Sequence, residues 1–321
     1  MTILVTGGAG FIGRWVVKKL LQNKNKVVVI DNLVNGREKN LKEFKNNPNL
    51  IEFIIGDILN KDLINELFLK YEFTICIHLA AQINVQESLE NPSKAFENNV
   101  IGTYNLLNAA LNYQTKVVLI GTCMVYNLTN TDIPISEDHT IKPISPYAGS
   151  KIAAEDIALS YYYGYGLPVV ILRPFNTYGP FQKTNIEGGV VAIFIKRKLE
   201  GQKLLIYGDG TQTRDLLYVE DCAEFIVKAS ESEKCIGQIM NAGTGKDISI
   251  NDLAYIIVKD KNRIKHIKHH HPQSEIMKLV CDYSKAKNLL DWDPKVSLKD
   301  GILKLEKWLK DYEEINEERT G

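Results

Sequence analysis

Short runs of β-branched and other apolar residues alternate with longer amphipathic stretches through the first half of the chain. Six runs are predicted as strands: Thr2–Thr6, Lys26–Ile30, Ile51–Ile55, Phe73–Leu79, Lys116–Gly121 and Val169–Arg173. Four stretches are predicted as helices: Phe11–Leu21, Asp62–Lys70, Ser93–Asn112 and Pro146–Tyr165. Several strands are apolar almost throughout, as expected when helices cover both faces of a parallel sheet. The pattern therefore predicts an α/β fold with a doubly wound parallel sheet.

The alternation stops after Pro174, where Gly, Pro and Asn cluster in FNTYGPFQKTNIEGG. We predict a Rossmann-type nucleotide-binding domain over residues 1–174, to which residues 219–261 partly return. Residues 175–218 and 262–321 are predicted to form a smaller substrate-binding lobe. Since ligands of such sheets bind at the carboxyl ends of the strands, the cleft between the lobes is the expected site.

Composition narrows the classes of partner. The 321 residues carry 39 basic and 39 acidic side chains, so no basic excess favours nucleic acid or an anionic membrane. No apolar run reaches membrane-spanning length, and MTILVTG resembles a first strand rather than a signal peptide. The five cysteines are odd in number and lack CxxC spacing, which favours a reducing compartment. We therefore expect a cytoplasmic protein.

The first predicted strand runs into a glycine-rich turn, ILVTGGAGFIG. Gly7 permits a sharp turn, Gly10 lets the backbone approach a pyrophosphate, and Gly13 allows close packing of helix and strand. Asp31 ends the second strand, where a carboxylate suits the adenosine ribose hydroxyls of NAD and repels a 2′-phosphate. The turn and the acid together predict NAD as the cofactor, while Arg37 nearby leaves NADP open.

A second motif, SPYAGSKIAAE, places Tyr147 and Lys151 four residues apart on one face of a helix. An ammonium close to a phenol is expected to lower the pKa of the phenol, which then accepts a proton from a sugar hydroxyl. Thr122, directly after a predicted strand, is a third candidate for this site.

These motifs carry a resemblance to a known family. GGAGFIG, HLAAQ, YAGSK, RPFNTYGP and RDLLYVED occur in this order, and together they resemble the extended short-chain dehydrogenases/reductases, specifically their nucleotide-sugar epimerases and dehydratases. The resemblance covers nearly the whole chain. Within the family the sequence is most similar to UDP-N-acetylglucosamine 4,6-dehydratases that retain the C5 configuration.

The resemblance implies roles by position. It implies Thr122, Tyr147 and Lys151 as a catalytic triad in which Tyr147 and Lys151 also contact NAD. The other residues implied for NAD are Gly7, Gly10, Phe11, Ile12, Gly13, Asp31, Asn32, Asp57, Ile58, Ala80 and Ala81. Those implied for the nucleotide-sugar are Asn176, Tyr207, Arg214, Asn241 and His271. It also implies a homodimer formed through a four-helix interface by the helices Ser93–Asn112 and Pro146–Tyr165.

The sequence departs from the family after Thr122. Sugar 4,6-dehydratases usually continue with Asp and Glu, which protonate the leaving C6 hydroxyl and remove the C5 proton, but here Cys123 and Met124 follow. Met124 transfers no proton. Cys123 is the first hypothesis for the C5 proton, with Tyr147 and Glu187 as alternatives. A 4-epimerase requires no such pair, so the loss of Asp and Glu by itself favours a 4-epimerase. The stretch Thr-Cys-Met-Val-Tyr, followed by RPFNTYGPFQ and HPQSE, nevertheless resembles the UDP-N-acetylglucosamine 4,6-dehydratase branch. On that resemblance we predict a 4,6-dehydratase and keep the 4-epimerase as the alternative.

A second departure is KHHHPQSE, where His271 takes the place of an arginine that relatives use on the diphosphate. Histidine is a weaker anchor at pH 7 unless it is protonated. His266, His269, His270 and His271 invite a metal site, but strand spacing would divide them between two faces and no carboxylate pattern completes it. We therefore predict no metal.

Overall fold

The chain is described by a computed structural model that covers residues 1–127, 133–184, 189–268 and 276–317. Its strands are β1 (Thr2–Thr6), β2 (Lys26–Asp31), β3 (Leu50–Ile55), β4 (Ile75–His78), β5 (Lys116–Ile120), β6 (Val169–Pro174), β7 (Asn176–Tyr178), β8 (Leu204–Tyr207), β9 (Thr213–Tyr218), β10 (Ile239–Ala242), β11 (Asp247–Ser249) and β12 (Ile264–Ile267).

Its α-helices are α1 (Phe11–Gln22), α2 (Lys61–Tyr71), α3 (Val85–Glu90), α4 (Pro92–Phe96), α5 (Gly102–Tyr113), α6 (Pro146–Tyr165), α7 (Val190–Leu199), α8 (Val219–Glu231), α9 (Ile250–Val258), α10 (Ser284–Leu290) and α11 (Leu298–Glu317). Short 3₁₀ turns lie at Glu38–Phe44, Cys123–Val125, Glu233–Cys235 and Lys261–Arg263. In these ranges no helix is long and apolar enough to cross a membrane.

The main sheet has seven strands in the order β10-β6-β5-β4-β1-β2-β3. All of its neighbouring strands pair in parallel. The chain therefore winds outward from β1 in one direction through β2 and β3, and in the other through β4, β5 and β6. The predicted doubly wound sheet is confirmed, and the carboxyl ends of β1, β2, β4 and β5 meet at one edge.

Both faces of this sheet are covered by apolar packing, as the near-continuous apolar strands require. One core cluster packs α1 and α8 against one face, and a second packs α2, α5 and α6 against the other. Val28 of β2 and Leu4 of β1 lie in the second cluster, whereas Val27 and Ile3 lie in the first. Successive side chains of a strand thus reach opposite cores.

The predicted helix Ser93–Asn112 is interrupted. It consists of α4, a π-helical turn over Glu97–Ile101, and α5. The side chain of Asn99, buried in this turn, accepts a hydrogen bond from the backbone N–H of Gln82 (2.8 Å) and donates to the Gln82 carbonyl (3.0 Å) and to Ser150 (2.8 Å). These tertiary bonds favour the wider turn, which helical periodicity alone does not indicate.

The remaining elements build a smaller region beside the sheet. Strands β11, β9 and β7 form one sheet, β12 pairs with β8, and α7, α9 and α11 complete an apolar cluster with them. Within the segment 219–261, β10 belongs to the main sheet and α8 packs in its core. Helix α9 packs instead in the apolar cluster of the smaller region.

Candidate active site

A cavity of about 470 Å³ opens at the carboxyl ends of the main-sheet strands. Its wall contains the glycine-rich turn, the ends of β2, β4 and β5, and the N-terminal part of α6. The segment after β6 contributes Phe175 and Thr177, so the smaller region also borders the cavity. This is the place that the sheet topology predicts for a ligand.

The glycine-rich turn needs its glycines for two different reasons. Gly7 has φ +69°, and a Cβ there would lie 2.8 Å from the backbone N of Ala80. A Cβ on Gly13 would overlap the carbonyl oxygen of Gly7. At Gly10, by contrast, a Cβ would meet the carbonyl oxygen of Gly7 at 3.1 Å and no other atom within 4 Å. Packing therefore requires Gly7 and Gly13, while Gly10 keeps room on the cavity side.

The N-terminus of α1 is left available to an anion. Its N-cap, Gly10, offers no side-chain hydrogen bond, and its first turn contains no acidic residue. The first N–H groups of a helix lack intrahelical partners, and the helix dipole places positive charge there. Phe11, Ile12 and Gly13 line the cavity at this point. The arrangement fits the pyrophosphate of a dinucleotide.

Asp31, the last residue of β2, is held rigidly by the backbone. One carboxylate oxygen accepts from the N–H of Ala9 at 3.0 Å and the other from the N–H of Leu33 at 2.8 Å. Burial raises the pKa of Asp31, and these two backbone bonds and the charge of Lys183 oppose the rise. Gly36 closes the turn, since a Cβ there would strike the Asp31 carboxylate.

Every residue predicted for NAD lies in the wall of this one cavity: Gly7, Gly10, Phe11, Ile12, Gly13, Asp31, Asn32, Asp57, Ile58, Ala80, Ala81, Tyr147 and Lys151. Asn32 donates to the Asp57 carboxylate at 2.9 Å and so joins the ends of β2 and β3. The room left at Gly10 and the polar side chains of Asp31, Asn32 and Asp57 in the wall fit a dinucleotide. The contacts of the individual residues with NAD stay predictions.

Thr122, Tyr147 and Lys151 also meet in this wall, as predicted. Thr122 accepts a hydrogen bond from the N–H of Met124 (3.2 Å) and so begins a 3₁₀ turn directly after β5. Ser145 caps α6 by accepting from Ala148 (3.2 Å), which sets the direction of the helix that carries Tyr147 and Lys151. Thr122 lies close enough to Tyr147 to lower the pKa of its phenol.

The expected lowering of the Tyr147 pKa does not come from the protein's own groups. Burial raises the pKa of Tyr147 to about 12, and the hydrogen bond with Thr122 opposes this only in part. Burial also lowers the pKa of Lys151 to about 8, against an attraction by Glu155. The Lys151 ammonium donates to the carbonyl of Ile120 at 2.5 Å. Desolvation therefore sets the direction of the Tyr147 pKa, and the attraction by Lys151 that the sequence suggested is not among its main causes.

Cys123 lies behind the cavity wall. Its side chain is 3% exposed, packs among apolar residues that include Val125 and Phe175, and does not belong to the described lining. Thr122 nevertheless lies close enough to lower the pKa of its thiol, although burial raises this pKa to about 12. The thiol is thus protonated at neutral pH, and Thr122 lies beside both Cys123 and Tyr147.

The residues predicted for the nucleotide-sugar do not share one wall with the cofactor residues, since none of the four described ones lines this cavity. Asn176 on β7 has a buried Oδ1 without a hydrogen-bond partner in the described chain, so this oxygen is able to accept a hydrogen bond from a ligand. Arg214 on β9 donates to the carbonyls of Thr213 and Ile276, both at 2.7 Å. Tyr207 is 41% exposed at the end of β8.

Asn241 does not have the position expected of a substrate contact. It is fully buried in β10, where its Oδ1 accepts from Tyr126 (2.7 Å) and its Nδ2 donates to the carbonyl of Ile135 (3.1 Å). Its amide is therefore consumed by the protein. His271 and Glu187 lie outside the described residues.

Other lining residues were not predicted. Gln82, Glu87, Lys94 and Asn98 line the cavity beside the cofactor residues, and Glu87 forms an ion pair with Lys94. Gln82 belongs to the HLAAQ motif and could have been predicted from it, whereas Glu87, Lys94 and Asn98 belong to no motif. Phe181, Gln182 and Lys183 reach the cavity from the distant segment after β7. No local pattern indicates that approach.

The parallel sheet, the glycine turn with its acid, and the Thr-Tyr-Lys group together define an NAD-dependent enzyme of the extended short-chain dehydrogenase/reductase class. The family model described as GDP-mannose 4,6 dehydratase matches residues 4–305. The chain therefore belongs to the family of nucleotide-sugar epimerases and dehydratases, as the motifs indicated, and NAD is its cofactor.

Individual relatives differ in activity. The chain is 37% identical over 306 residues to a UDP-glucose 4-epimerase of Mycolicibacterium smegmatis, with 95% of this chain and 97% of the relative covered. It is 60% identical to the X-ray structure of Pal from Bacillus thuringiensis, with TM-score 0.95 and coverage of 97% and 100%. A dTDP-glucose 4,6-dehydratase of Bacillus anthracis in complex with NAD is 31% identical, with TM-score 0.87 and 98% of each chain covered.

Proposed function

We propose that the chain is a nucleotide-sugar 4,6-dehydratase that acts on UDP-N-acetylglucosamine or a related nucleotide hexose. The observation that carries this proposal is the placement of Thr122 beside both Tyr147 and Cys123, where it lowers the pKa of each group. An epimerase needs a group for the O4 proton but none for C5 and C6. A thiol close to that group therefore fits a reaction that moves further protons.

In the proposed reaction Tyr147 takes the proton of the sugar O4 while C4 loses a hydride. NAD held in this cavity would supply the hydride acceptor and the hydride donor, so the overall reaction would be redox-neutral. Thr122 orients O4, and Lys151 stabilises the negative charge that develops during the proton transfer. Because burial raises the pKa of the Tyr147 phenol to about 12, Tyr147 accepts the O4 proton only when positive charge is close to it.

The second stage is the loss of water from the 4-keto sugar. The ketone acidifies the C5 proton. Cys123, protonated at neutral pH, donates a proton to the leaving C6 hydroxyl and regains one from C5. One thiol would thus replace both the Asp and the Glu of other dehydratases. C6 would then take up the hydride while Cys123 returns a proton to C5, and the proton that Tyr147 took from O4 would restore the thiol. The products are water and the 4-keto-6-deoxy sugar.

Support for the nucleotide part of the substrate is separate. The family shares nucleotide-sugar substrates, and the 37% identical relative is named for UDP-glucose. Asn176, with its unsatisfied amide oxygen, and Arg214 are the residues we propose for the diphosphate, and Tyr207 for the base. The proposal that the sugar carries an N-acetyl group rests on a resemblance. The residues after Thr122 and the stretch RPFNTYGPFQ resemble those of UDP-N-acetylglucosamine 4,6-dehydratases.

A 4-epimerase is the second candidate, and a specific observation favours it. Cys123 is 3% exposed and lies outside the described cavity wall, so direct contact with C5 requires movement of the substrate or of the 3₁₀ turn. With NAD bound as the hydride acceptor, Thr122, Tyr147 and Lys151 would be sufficient for the oxidation and reduction of C4.

One experiment separates the two. The purified protein is incubated with UDP-N-acetylglucosamine in heavy water, and the product is examined by mass spectrometry and NMR. The dehydratase is expected to remove one water and to incorporate one deuterium at C5. An unchanged mass with appearance of the galacto isomer contradicts the dehydratase and supports the epimerase. No reaction with this substrate leads to the same test with dTDP-, GDP- and CDP-sugars.

The role of Cys123 has its own control. Cys123→Ala is expected to abolish water loss, while hydride removal from C4 still reduces the bound cofactor, which is visible as absorbance near 340 nm. Cys76→Ala is the matched control, because Cys76 is also buried but belongs to the core behind β4. Full water loss by Cys123→Ala would eliminate the thiol and leave Tyr147 or Glu187 for the C5 proton.

We also propose that the protein is a homodimer through the α4–α5 region and α6. Phe96, Ile101 and Tyr104 on the first of these, and Tyr163 on the second, are exposed large apolar side chains. Exposed apolar surface on two adjacent helices is typical of a subunit interface.

A further inference from the structure

The segment Gly179–Lys183, called here the crossing segment, passes from the smaller region to the rim of the cofactor cavity. It begins directly after β7 and includes Phe181, which has φ +73°. A non-glycine residue in this conformation is strained, and such strain persists where the surrounding contacts enforce it. Phe181, Gln182 and Lys183 all line the cavity.

One hydrogen bond and three contacts with the ring of Phe181 hold the crossing segment in place. The indole N–H of Trp15 donates to the Pro180 carbonyl at 3.3 Å. The ring of Phe181 packs against Trp15 and Trp308, with centroids 6.1 and 4.9 Å apart, and the guanidinium of Arg14 lies 4.0 Å from its centre. Trp15 and Arg14 follow the glycine-rich turn on α1, whereas Trp308 is on α11. The segment is therefore anchored to both parts of the chain.

Beyond this anchor, Lys183 reaches the turn after β2. Its ammonium lies 3.3 Å from the carbonyl of Val34 and 3.4 Å from Oδ1 of Asn35. Its charge also attracts the carboxylate of Asp31. Asp31, Val34, Asn35 and Lys183 all line the cavity. A cation thus faces the end of the cavity where Asp31 is predicted to meet the adenosine ribose.

Gln182 adds a second indication. Its Nε2 donates to the Thr177 carbonyl at 3.1 Å, while its Oε1 is buried and has no hydrogen-bond partner within the described residues. Buried polar atoms without partners are rare in folded proteins. Because Gln182 lines the cavity, this oxygen is placed to accept a hydrogen bond from a bound ligand.

We propose that Lys183, with Gln182 beside it, is a cofactor-binding residue that the smaller region contributes, and that it retains NAD during turnover. The ammonium binds the adenosine half of the dinucleotide by a hydrogen bond and by its charge. The anchored Phe181 fixes the position from which Lys183 reaches. The glycine-rich turn and Asp31 hold one side of the cofactor, and the crossing segment holds the other.

Such a contact suits the chemistry of the family. The cofactor is oxidised and reduced within one catalytic cycle, so it has no need to leave between turnovers. A charge-assisted hydrogen bond from the opposite wall slows its dissociation without affecting the reacting carbon. The inference depends only on NAD as the cofactor, and it holds equally for a dehydratase and for an epimerase.

The test is the exchange of bound NAD against radiolabelled NAD in the purified holoenzyme. Lys183→Met, which keeps the length of the side chain and removes its charge, is expected to release NAD about tenfold faster, the effect of one charge-assisted hydrogen bond. Lys183→Arg is expected to retain NAD as the wild type does. Lys203→Met, at an exposed position before β8 and outside the described lining, is the matched control.

Two further readouts separate cofactor binding from a structural role. The NAD exchange rate of the wild type is expected to rise with salt, because salt screens the charge of Lys183. The exchange rate of Lys183→Met is expected to depend less on salt, because the variant lacks this charge. The melting temperature of the NAD-free protein is expected to be equal in both. The proposal is overturned if Lys183→Met exchanges NAD at the wild-type rate, if its NAD-free form melts at a clearly lower temperature, or if it weakens NADP binding while NAD is unaffected.

Discussion

The burial of Lys151 leads to a prediction that separates stability from activity. Replacing Lys151 by Met keeps a side chain of similar length in the same buried position and removes its charge. The variant is expected to lose nearly all activity and yet to be more stable than the wild type at pH 7. Active-site groups are often retained at a cost in stability, and a desolvated ammonium is a clear example.

The magnitude follows from the pKa of Lys151. Burial lowers this pKa from 10.5 to about 8, which corresponds to about 3 kcal/mol in favour of the neutral form. At pH 7 the folded protein bears this cost, because Lys151 is charged in both the folded and the unfolded chain. Met loses the hydrogen bond to the Ile120 carbonyl, worth about 1 kcal/mol. We therefore expect a net gain of about 2 kcal/mol in the free energy of unfolding.

The stability difference between the wild type and Lys151→Met depends on pH for the same reason. Between pH 8 and 10.5 the folded chain binds fewer protons at Lys151 than the unfolded chain, so the stability of the wild type rises with pH relative to the variant. The cost is complete below about pH 8 and has disappeared above pH 10.5. The advantage of Lys151→Met is thus expected at pH 7 and should vanish near pH 10.

Urea denaturation of the two NAD-free proteins at pH 7 and pH 10, followed by tryptophan fluorescence, measures this difference. Comparing the two proteins at each pH cancels the titration of other groups. A variant that is less stable than the wild type at pH 7 would refute the desolvation argument. So would a stability difference that is the same at both pH values.

Further predictions concern the cofactor, the chemistry and the assembly. Gly13→Val is expected to abolish NAD binding and to lower stability by more than 2 kcal/mol, measured by NAD content and denaturation, since its side chain would overlap the Gly7 carbonyl. Asp31→Asn should weaken NAD at least tenfold and improve NADP binding, measured by titration, because the nearby cations would no longer face a carboxylate. Tyr147→Phe should reduce turnover by about 10³ and leave NAD content unchanged. Tyr104→Arg should convert the proposed dimer to a monomer in sedimentation experiments, and an unchanged dimer would place the interface elsewhere.

The sequence predicted the main sheet well because its information is local. Each of the six predicted strands overlaps an observed strand, with ends that differ by no more than two residues. Apart from the edge strand β3, the apolar runs were buried on both faces, so period and length were sufficient. The helix containing Glu97–Ile101 was mispredicted as regular, because its π-helical turn depends on hydrogen bonds of Asn99 to residues far along the chain.

The predictions for the candidate site also differ according to whether they depend on local motifs or on packing. The residues predicted for NAD were all found in one wall because they belong to continuous motifs at strand ends. Asn241 was predicted as a nucleotide contact from its position in the family, whereas its amide binds Tyr126 and the Ile135 carbonyl inside the fold. The pKa of Tyr147 is raised by burial, contrary to the expected lowering, because spacing reports proximity but not desolvation.

The sequence by itself determined the doubly wound sheet, the glycine turn with Asp31, and the family. These depend on side-chain periodicity and on short motifs whose geometry is set within a few residues. Only the tertiary structure decided that Cys123 is buried behind Thr122, that Lys151 carries a desolvated charge, and that Lys183 faces Asp31 across the cavity. Burial and the meeting of segments about 150 residues apart are properties of the packed chain, and no local pattern encodes them.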